Sequence, residues 1–383
     1  MLTNSDIEDL TQFRRALHQY PEVSGEEIET ARTIAAELKK LAPTRILTGL
    51  GGHGVAAVFD SGTPGPTVLF RAELDALPIP EEHDIPWVSK VPGKSHVCGH
   101  DGHMTMLLAL GRMIARQSVA KGRVVLMFQP AEEDGSGARA VVNDPAYAEI
   151  AADYAFAIHV EPGRPFGHVD TAPALINCAS KGVAVTLRGK TAHAASPEDG
   201  TSPAPALAEL IPALQALGPG GALDDTFRLV TLTHLRMGEP TFGIAPGEAV
   251  LYATLRSTRD DALAEIEEAL RAEVARAAET HGLTAGFAES DHFAASINDP
   301  EAYAIAAAAM DAVGVSHGQR NLPMRASEDF GLFGRDAKAA MLCLGPGEDY
   351  AALHNPDYDF PDDLIPIGAG IFERIARDLL GTA

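Results

Sequence analysis

The chain has 383 residues, 46% hydrophobic and 22% charged, an ordinary globular composition that excludes a disordered chain and leaves room for about two domains. With 30 Lys and Arg against 53 Asp and Glu, its net charge of −23 argues against nucleic acid and anionic membranes as partners. Three cysteines make no disulfide framework, the first twenty residues show no signal-peptide pattern, and no uncharged apolar run approaches about 18 residues, so a cytoplasmic globular protein is expected.

Apolar spacing of three and four predicts helices over 5–17 and about 26–41. Residues 66–75 read as a buried strand that runs into a polar loop, followed by a helix over 104–116 and strands over 123–129 and 154–159. The middle differs. A strand over 182–188 and a helix over 203–217 are followed by strands over 227–235 and 249–257. A helix over 260–281 then carries Leu263, Ile266, Leu270 and Val274 on one stripe, before a strand over 283–291. The alternation returns with a helix over 301–313, a strand over 339–344 and a helix over 364–380. The outer segments predict an α/β fold, a mostly parallel sheet with helices on both faces. The middle has the βαββαβ order of a ferredoxin-like sandwich. The expected organisation is a discontinuous larger domain, 1–178 and 293–383, interrupted by a compact domain over 179–292.

The densest chemical signal is His96-Val-Cys98-Gly-His100-Asp101-Gly-His103, three imidazoles, a thiol and a carboxylate within eight residues. Imidazole and thiolate are preferred ligands of zinc-like ions. In an extended segment Cys98 and His100 point to one side, and Gly99 and Gly102 would let the backbone turn around an ion. More ligands stand just beyond predicted strands: Glu132 and Glu133 after 123–129, and His159 at the end of 154–159, with His354 in a loop near the terminus. Such segments converge at the carboxyl ends of strands in open α/β sheets. If the Glu pair is extended, its side chains diverge, one reaching a metal and the other taking a proton from an activated water. Asp75 either accepts the free N–H of a ligating imidazole or caps its loop.

At these residues the sequence resembles the amidohydrolase branch of the aminoacylase/carboxypeptidase metallopeptidase superfamily, which includes hippurate hydrolases and auxin-conjugate hydrolases. The matching stretches are 17–22, 71–78, the cluster 96–103, 128–133, 189–195, 327–330, 353–356 and 364–370, in order along nearly the whole chain. The resemblance implies a metal-dependent hydrolase of N-acyl amino acids or related small amides and dipeptides, with two divalent ions held by Cys98, His100, Glu133, His159 and His354. Manganese or zinc is expected, with cobalt and nickel also compatible. Cys98 would bridge the ions, Glu132 would be the general base, and Asp75 and Asp101 would stand behind the ligands. The larger domain would be catalytic and the insert a lid through which the chain forms a homodimer. His193 would reach the partner subunit's site, bind substrate there and stabilise the oxyanion. Arg256 matches a lid arginine suited to a substrate carboxylate; read alone, it is equally an outward-facing strand residue.

Three departures concern substrate rather than metal. Glu73 replaces a usual Asp, Glu161 a usual Trp, and Gly243 an Asn of the lid that holds substrate in relatives. Two other functions compete with this reading: a thiol hydrolase with Cys98 as nucleophile, and a metal-dependent acyl amino acid binding protein without turnover.

Overall fold

The structure, a computed structural model, describes residues 2–383 and divides into two compact units. The first comprises Met1–Ile176, Ser296–Leu322 and Glu328–Ala383; the second comprises Asn177–Ala295 and Pro323–Ser327.

The strands of the first unit are β1 (Arg45–Leu50), β2 (Gly54–Asp60), β3 (Thr67–Glu73), β4 (Arg123–Gln129), β5 (Tyr154–Val160) and β6 (Val169–Asp170). In the second unit β7 (Ala179–Arg188), β8 (Arg228–Met237), β9 (Glu248–Ser257) and β10 (Thr284–Phe293) follow, before β11 (His317–Gly318) and β12 (Lys338–Leu344) return to the first. The first unit's eight-stranded sheet has the order β1-β2-β4-β3-β5-β12-β6-β11. Its centre, β4-β3-β5-β12, is parallel, whereas β1 and β2 extend it antiparallel. Every residue of β3 is buried, as befits a central parallel strand, its polar Thr67, Arg71 and Glu73 included.

Helices were expected on both faces. Instead α1 (Asn4–His18), α2 (Ile28–Lys40), α3 (His100–Arg116), α7 (Pro300–Val313) and α8 (Leu364–Leu380) share one core with Val68, Phe70, Leu126, Phe156 and Leu342, alternate residues on one face of the sheet. The alternate set includes Arg71 and Gln129, which meet polar partners from the short turn Asp329–Arg335. Polar residues on that face need hydrogen-bonding cover, which a short turn supplies and an apolar helix stripe does not.

Helix α3 begins at His100 rather than at 104, so His100, Asp101 and His103 lie in its first turn, while His96 and Cys98 lie in the turn before it. Gly99 takes φ +87°, the left-handed region, and turns the chain into the helix. Gly102 serves packing, not a turn around an ion: a Cβ there would lie 2.2 Å from the ring of the buried Phe360. Alanine in a helix ordinarily gains about 1 kcal/mol over glycine, yet overpacking costs about 1–3 kcal/mol, and a clash this deep decides the sign. Gly102→Ala is expected to lower the thermal midpoint; an unchanged or raised midpoint would show that Phe360 yields freely.

In the second unit, β8-β9-β7-β10 form an antiparallel sheet in that spatial order. Helices α5 (Ala204–Ala216) and α6 (Asp260–Thr280) pack on one another and on the sheet. Burial alternates along β9, with Tyr252 on the exposed side, because the helices cover one face. The remaining helix, α4 (Gly137–Val142), belongs to the first unit.

Candidate metal centre

The carboxyl ends of β3, β4 and β5 lie side by side, and the loops leaving them meet the start of α3. There the ligand atoms of Cys98, His100 and His159 lie within 4.8 Å of one another, as do those of Cys98, Glu133 and His354. Cys98 belongs to both groups. Its sulfur is 3.5 Å from His159 Nε2. His100 Nε2 is 3.8 Å from Glu133 and 3.9 Å from Glu132, and His354 Nε2 is 3.6 Å from the other oxygen of Glu133.

Backbone contacts set these orientations. His100 Nδ1 donates to the Asp75 carbonyl at 2.8 Å and His159 Nδ1 to the Val160 carbonyl at 2.9 Å, so both rings turn Nε2 to the centre. His354 takes φ +66° while its N–H donates to the Val97 carbonyl at 2.9 Å, tying the late loop to the residue before Cys98. The two glutamates lie in a turn, not an extended segment: Ala131 before them has φ +48°, which for a residue with a Cβ is strained. The buried Glu27 carboxylate holds that turn, accepting the Ala131 N–H at 2.8 Å, while the Ala131 carbonyl accepts from Gly137 N–H at 2.8 Å. Asp75 supports it from the other side. Its carboxylate accepts from Glu133 N–H at 3.0 Å and Ser24 Oγ at 2.7 Å, but stands 3.5 Å from His100, whose proton goes to the Asp75 carbonyl instead.

The remaining cluster members turn elsewhere. His103 is held at both ring nitrogens, by Glu73 at 2.8 Å and the Val160 N–H at 3.0 Å. The Asp101 carboxylate, expected behind the ligands, points into a buried group with Arg14 at 3.2 Å and His18 at 2.8 Å. In the second unit, His193 lies on a short bridge to Ile244, and Arg256 donates to the Arg325 carbonyl at 2.9 Å and Ser327 Oγ at 2.8 Å.

Electrostatics tests whether cations suit the first group. Burial, then the mutual repulsion of Glu132, Glu133, Glu328 and Asp329, pushes the Glu132 carboxyl well above its ordinary range. Burial chiefly raises Glu133 to about 7, and burial with both glutamates raises the Cys98 thiol. Burial lowers His100, but Asp75, Glu73 and Glu133 outweigh it and bring the ring to about 10. Burial lowers His159 to about 4, leaving it neutral. His100 Nε2 and Glu133 Oε1 are buried with no hydrogen-bond partner among the described residues. Crowded acids, a thiol and the inward lone pair of neutral His159 form a set that positive charge relieves, so the residues fit divalent ions.

Behind Glu132 lies a network that the sequence did not reveal. Arg71, fully buried, pairs with Glu73, with Glu328 at 2.8 Å and with Asp329 at 2.7 Å, and donates to Gln129 at 2.8 Å. The stretch 327–330 entered only through resemblance, and nothing local to Glu27 or Arg71 marks them as partners of the centre.

The Arg14, His18 and Asp101 group carries a pH prediction. Burial lowers the His18 value, but Asp101 and Glu81 (3.1 Å) outweigh it, and the ring titrates at about 9 rather than 6.5. The folded state therefore binds a proton that the unfolded chain releases between those values. This stabilisation, about 3 kcal/mol, is complete below pH 6.5 and is lost as pH rises through 9. Unfolding free energy should fall over that window, and His18→Gln should flatten the slope; an equal slope in both proteins would show that His18 is not the source.

A model of "Peptidase family M20/M25/M40" matches residues 69–378. An Arabidopsis thaliana relative, "IAA-amino acid hydrolase ILR1-like 6", is 30% identical, covering 97% of this chain and 80% of its own. The "Hippurate hydrolase" of Campylobacter jejuni is 28% identical and covers 97% of both. Among solved structures, the Bacillus subtilis YXEP protein, described as a dinuclear metal binding peptidase from M20 family, matches with a TM-score of 0.81 at 25% identity over 100% of both chains.

Proposed function

Because the chain belongs to peptidase family M20/M25/M40 and is a hydrolase of C–N bonds, we propose that it hydrolyses N-acyl amino acids or related small amides and dipeptides with the help of two divalent ions. The observation that carries this reading is the pair of three-residue groups sharing Cys98. Cys98, His100, Glu133, His159 and His354 would hold the ions, manganese or zinc first, with cobalt and nickel also suited to the donor set. Bound there, the ions polarise the amide carbonyl and ease deprotonation of water.

The chain's own residues do the rest. Glu132, buried and 3.9 Å from His100, is the general base: it accepts the water proton and returns it to the leaving nitrogen. Asp75 orients His100 through its carbonyl and Glu133 through its carboxylate. His193 Nδ1 accepts the Ala195 N–H at 3.0 Å, which leaves Nε2–H as the donor it would offer to the oxyanion in the partner subunit's site. Arg256 has no carboxylate partner among the described residues, which suits it to a substrate carboxylate. We read the second unit as a ferredoxin-like lid through which the chain dimerises. Its exposed Leu235, Phe242, Ile244 and Tyr252 support that reading. No helix among the described residues is long and apolar enough to cross a membrane. Three free buried cysteines favour a cytoplasmic location.

A Cys98 nucleophile is disfavoured, because burial and two glutamates keep its thiol protonated, the reverse of what thiol catalysis needs. A binding protein without turnover has no use for a buried base beside the ligands. The test is chelation with EDTA, then restoration with each ion, read on N-acetyl, N-benzoyl and dipeptide substrates. Loss and return of hydrolysis is expected. Hydrolysis that survives complete metal removal refutes the reading.

A further inference from the structure

We propose that Arg256 and Arg325 form a two-cation site in the second unit, so that N-acyl derivatives of acidic amino acids bind in preference to those with a neutral side chain. This rests on the amidohydrolase reading, in which Arg256 takes the substrate carboxylate, and it narrows the substrate class.

Arg256 lies on β9 in the same alternate set as the exposed Tyr252, away from the face covered by α5 and α6. The segment Pro323–Ser327 returns to this unit late in the chain and is tied to the start of β7. There the Cys178 N–H donates to the Met324 carbonyl at 3.2 Å and the Ala326 carbonyl at 3.1 Å. This docking sets Arg325 beside Arg256, whose Nη1 donates to the Arg325 carbonyl at 2.9 Å and to Ser327 Oγ at 2.8 Å. The Arg325 side chain is itself held. Its Nη2 donates to the Gly221 carbonyl at 3.0 Å, and its guanidinium carbon stands 5.6 Å from the centre of the buried Phe227 ring. A guanidinium fixed by a carbonyl and an aromatic face loses little freedom when an anion arrives.

Neither arginine has an acidic partner among the described residues; their contacts are carbonyls, a hydroxyl and a ring. In a chain with 53 acidic and 30 basic side chains, two neighbouring guanidinium groups without a carboxylate stand out. Burial lowers Arg256, and only the Cys178 thiol acts against that. Burial raises this thiol to about 11 against the pull of both guanidinium groups, so it supplies no charge at neutral pH, and the two cations lie around one point. Like charges so placed repel until an anion joins them. One carboxylate neutralises one arginine, with the short, strong hydrogen bonds of a charged pair. A ligand with two neutralises both. Because the arginines are neighbours, both carboxylates must stand on the same side of the amide. The two carboxylates of a glutamate half meet that requirement, whereas one on the acyl half lies across the amide from the other.

N-acetyl-glutamate and N-acetyl-glutamine share their shape and one carboxylate and differ by a single charge. Their dissociation constants are to be measured by calorimetry on the metal-loaded Glu132→Gln protein, which barely consumes them. The glutamate compound is expected to bind about tenfold tighter, one charge-assisted contact. Adding Arg325→Gln should bring the ratio near one, and Arg325→Lys should keep part of it, at equal bound metal. N-succinyl-glutamine, whose second carboxylate stands on the acyl half, is expected to gain nothing from Arg325. Equal affinities before substitution, a ratio that survives Arg325→Gln, an equal Arg325-dependent gain for the succinyl compound, or no binding of N-acetyl-glutamate would each overturn the site. The parent comparison needs no Arg325 variant, so a misfolded variant does not remove the test. Failure of the wild-type protein to cleave any acyl amino acid with any ion is a separate result, and it counts against the hydrolase reading.

Discussion

Glu132→Gln is expected to lower kcat by about 10²–10⁴-fold, the usual contribution of a positioned proton-transfer group, while both ions stay bound. The amide nearly matches the carboxylate in shape, so the turn set by Ala131 and its contact with Glu27 should persist. The substitution removes the ability to accept and return a proton. It also removes one acid from a crowded set in which Glu328, Glu133 and Asp329 repel the Glu132 charge. Folding stability should therefore hold or rise while turnover collapses. Metal analysis and thermal unfolding of the same preparation check both halves. Wild-type turnover in a metal-replete Glu132→Gln protein would remove Glu132 from the mechanism.

The second large effect falls on folding. Arg71→Met should destabilise the first unit by at least about 3–5 kcal/mol, the cost of stripping the partner from a buried ion pair. Arg71 is wholly buried among Glu73, Glu328 and Asp329. Without it three carboxylates share a dry space, and they must take up protons or unfold the unit. Set against a total stability of about 5–15 kcal/mol, the loss is enough to yield insoluble protein near neutral pH. Arg71→Lys should rescue only partly, since an ammonium cannot span Glu328, Asp329 and Gln129 together as the guanidinium does. Denaturant midpoints across the two variants decide; an unchanged midpoint for Arg71→Met would show that the carboxylates do not depend on it.

Local pattern determined much of this protein. Residues 123–129 and 364–380 read with their observed bounds because an unbroken apolar run and a strong helical stripe each declare their burial without reference to any other segment. The ligand candidates were legible for a similar reason: imidazole, thiol and carboxylate at strand ends are rare types in telling places. The antiparallel pair β1–β2 was not, because the strand partners that bury it lie elsewhere in the chain.

What the sequence could not decide is which atoms meet. Cys98 and His100 converge through the left-handed Gly99, and Glu132 and Glu133 through the strained Ala131, whereas the sequence alone suggested extended backbone at both places. Holding Ala131 requires Glu27, 104 residues away in the chain, and the Arg71 group joins β3 to a turn 257 residues later. Those contacts depend on tertiary closure, which brings distant backbone into register and has no local signature. Asp101 shows the same limit: it sits beside His100, yet the helical turn sends its carboxylate to Arg14 and His18. Residue type and spacing thus declared the chemistry, and only the packed chain settled which side chains face the centre and which support it from behind.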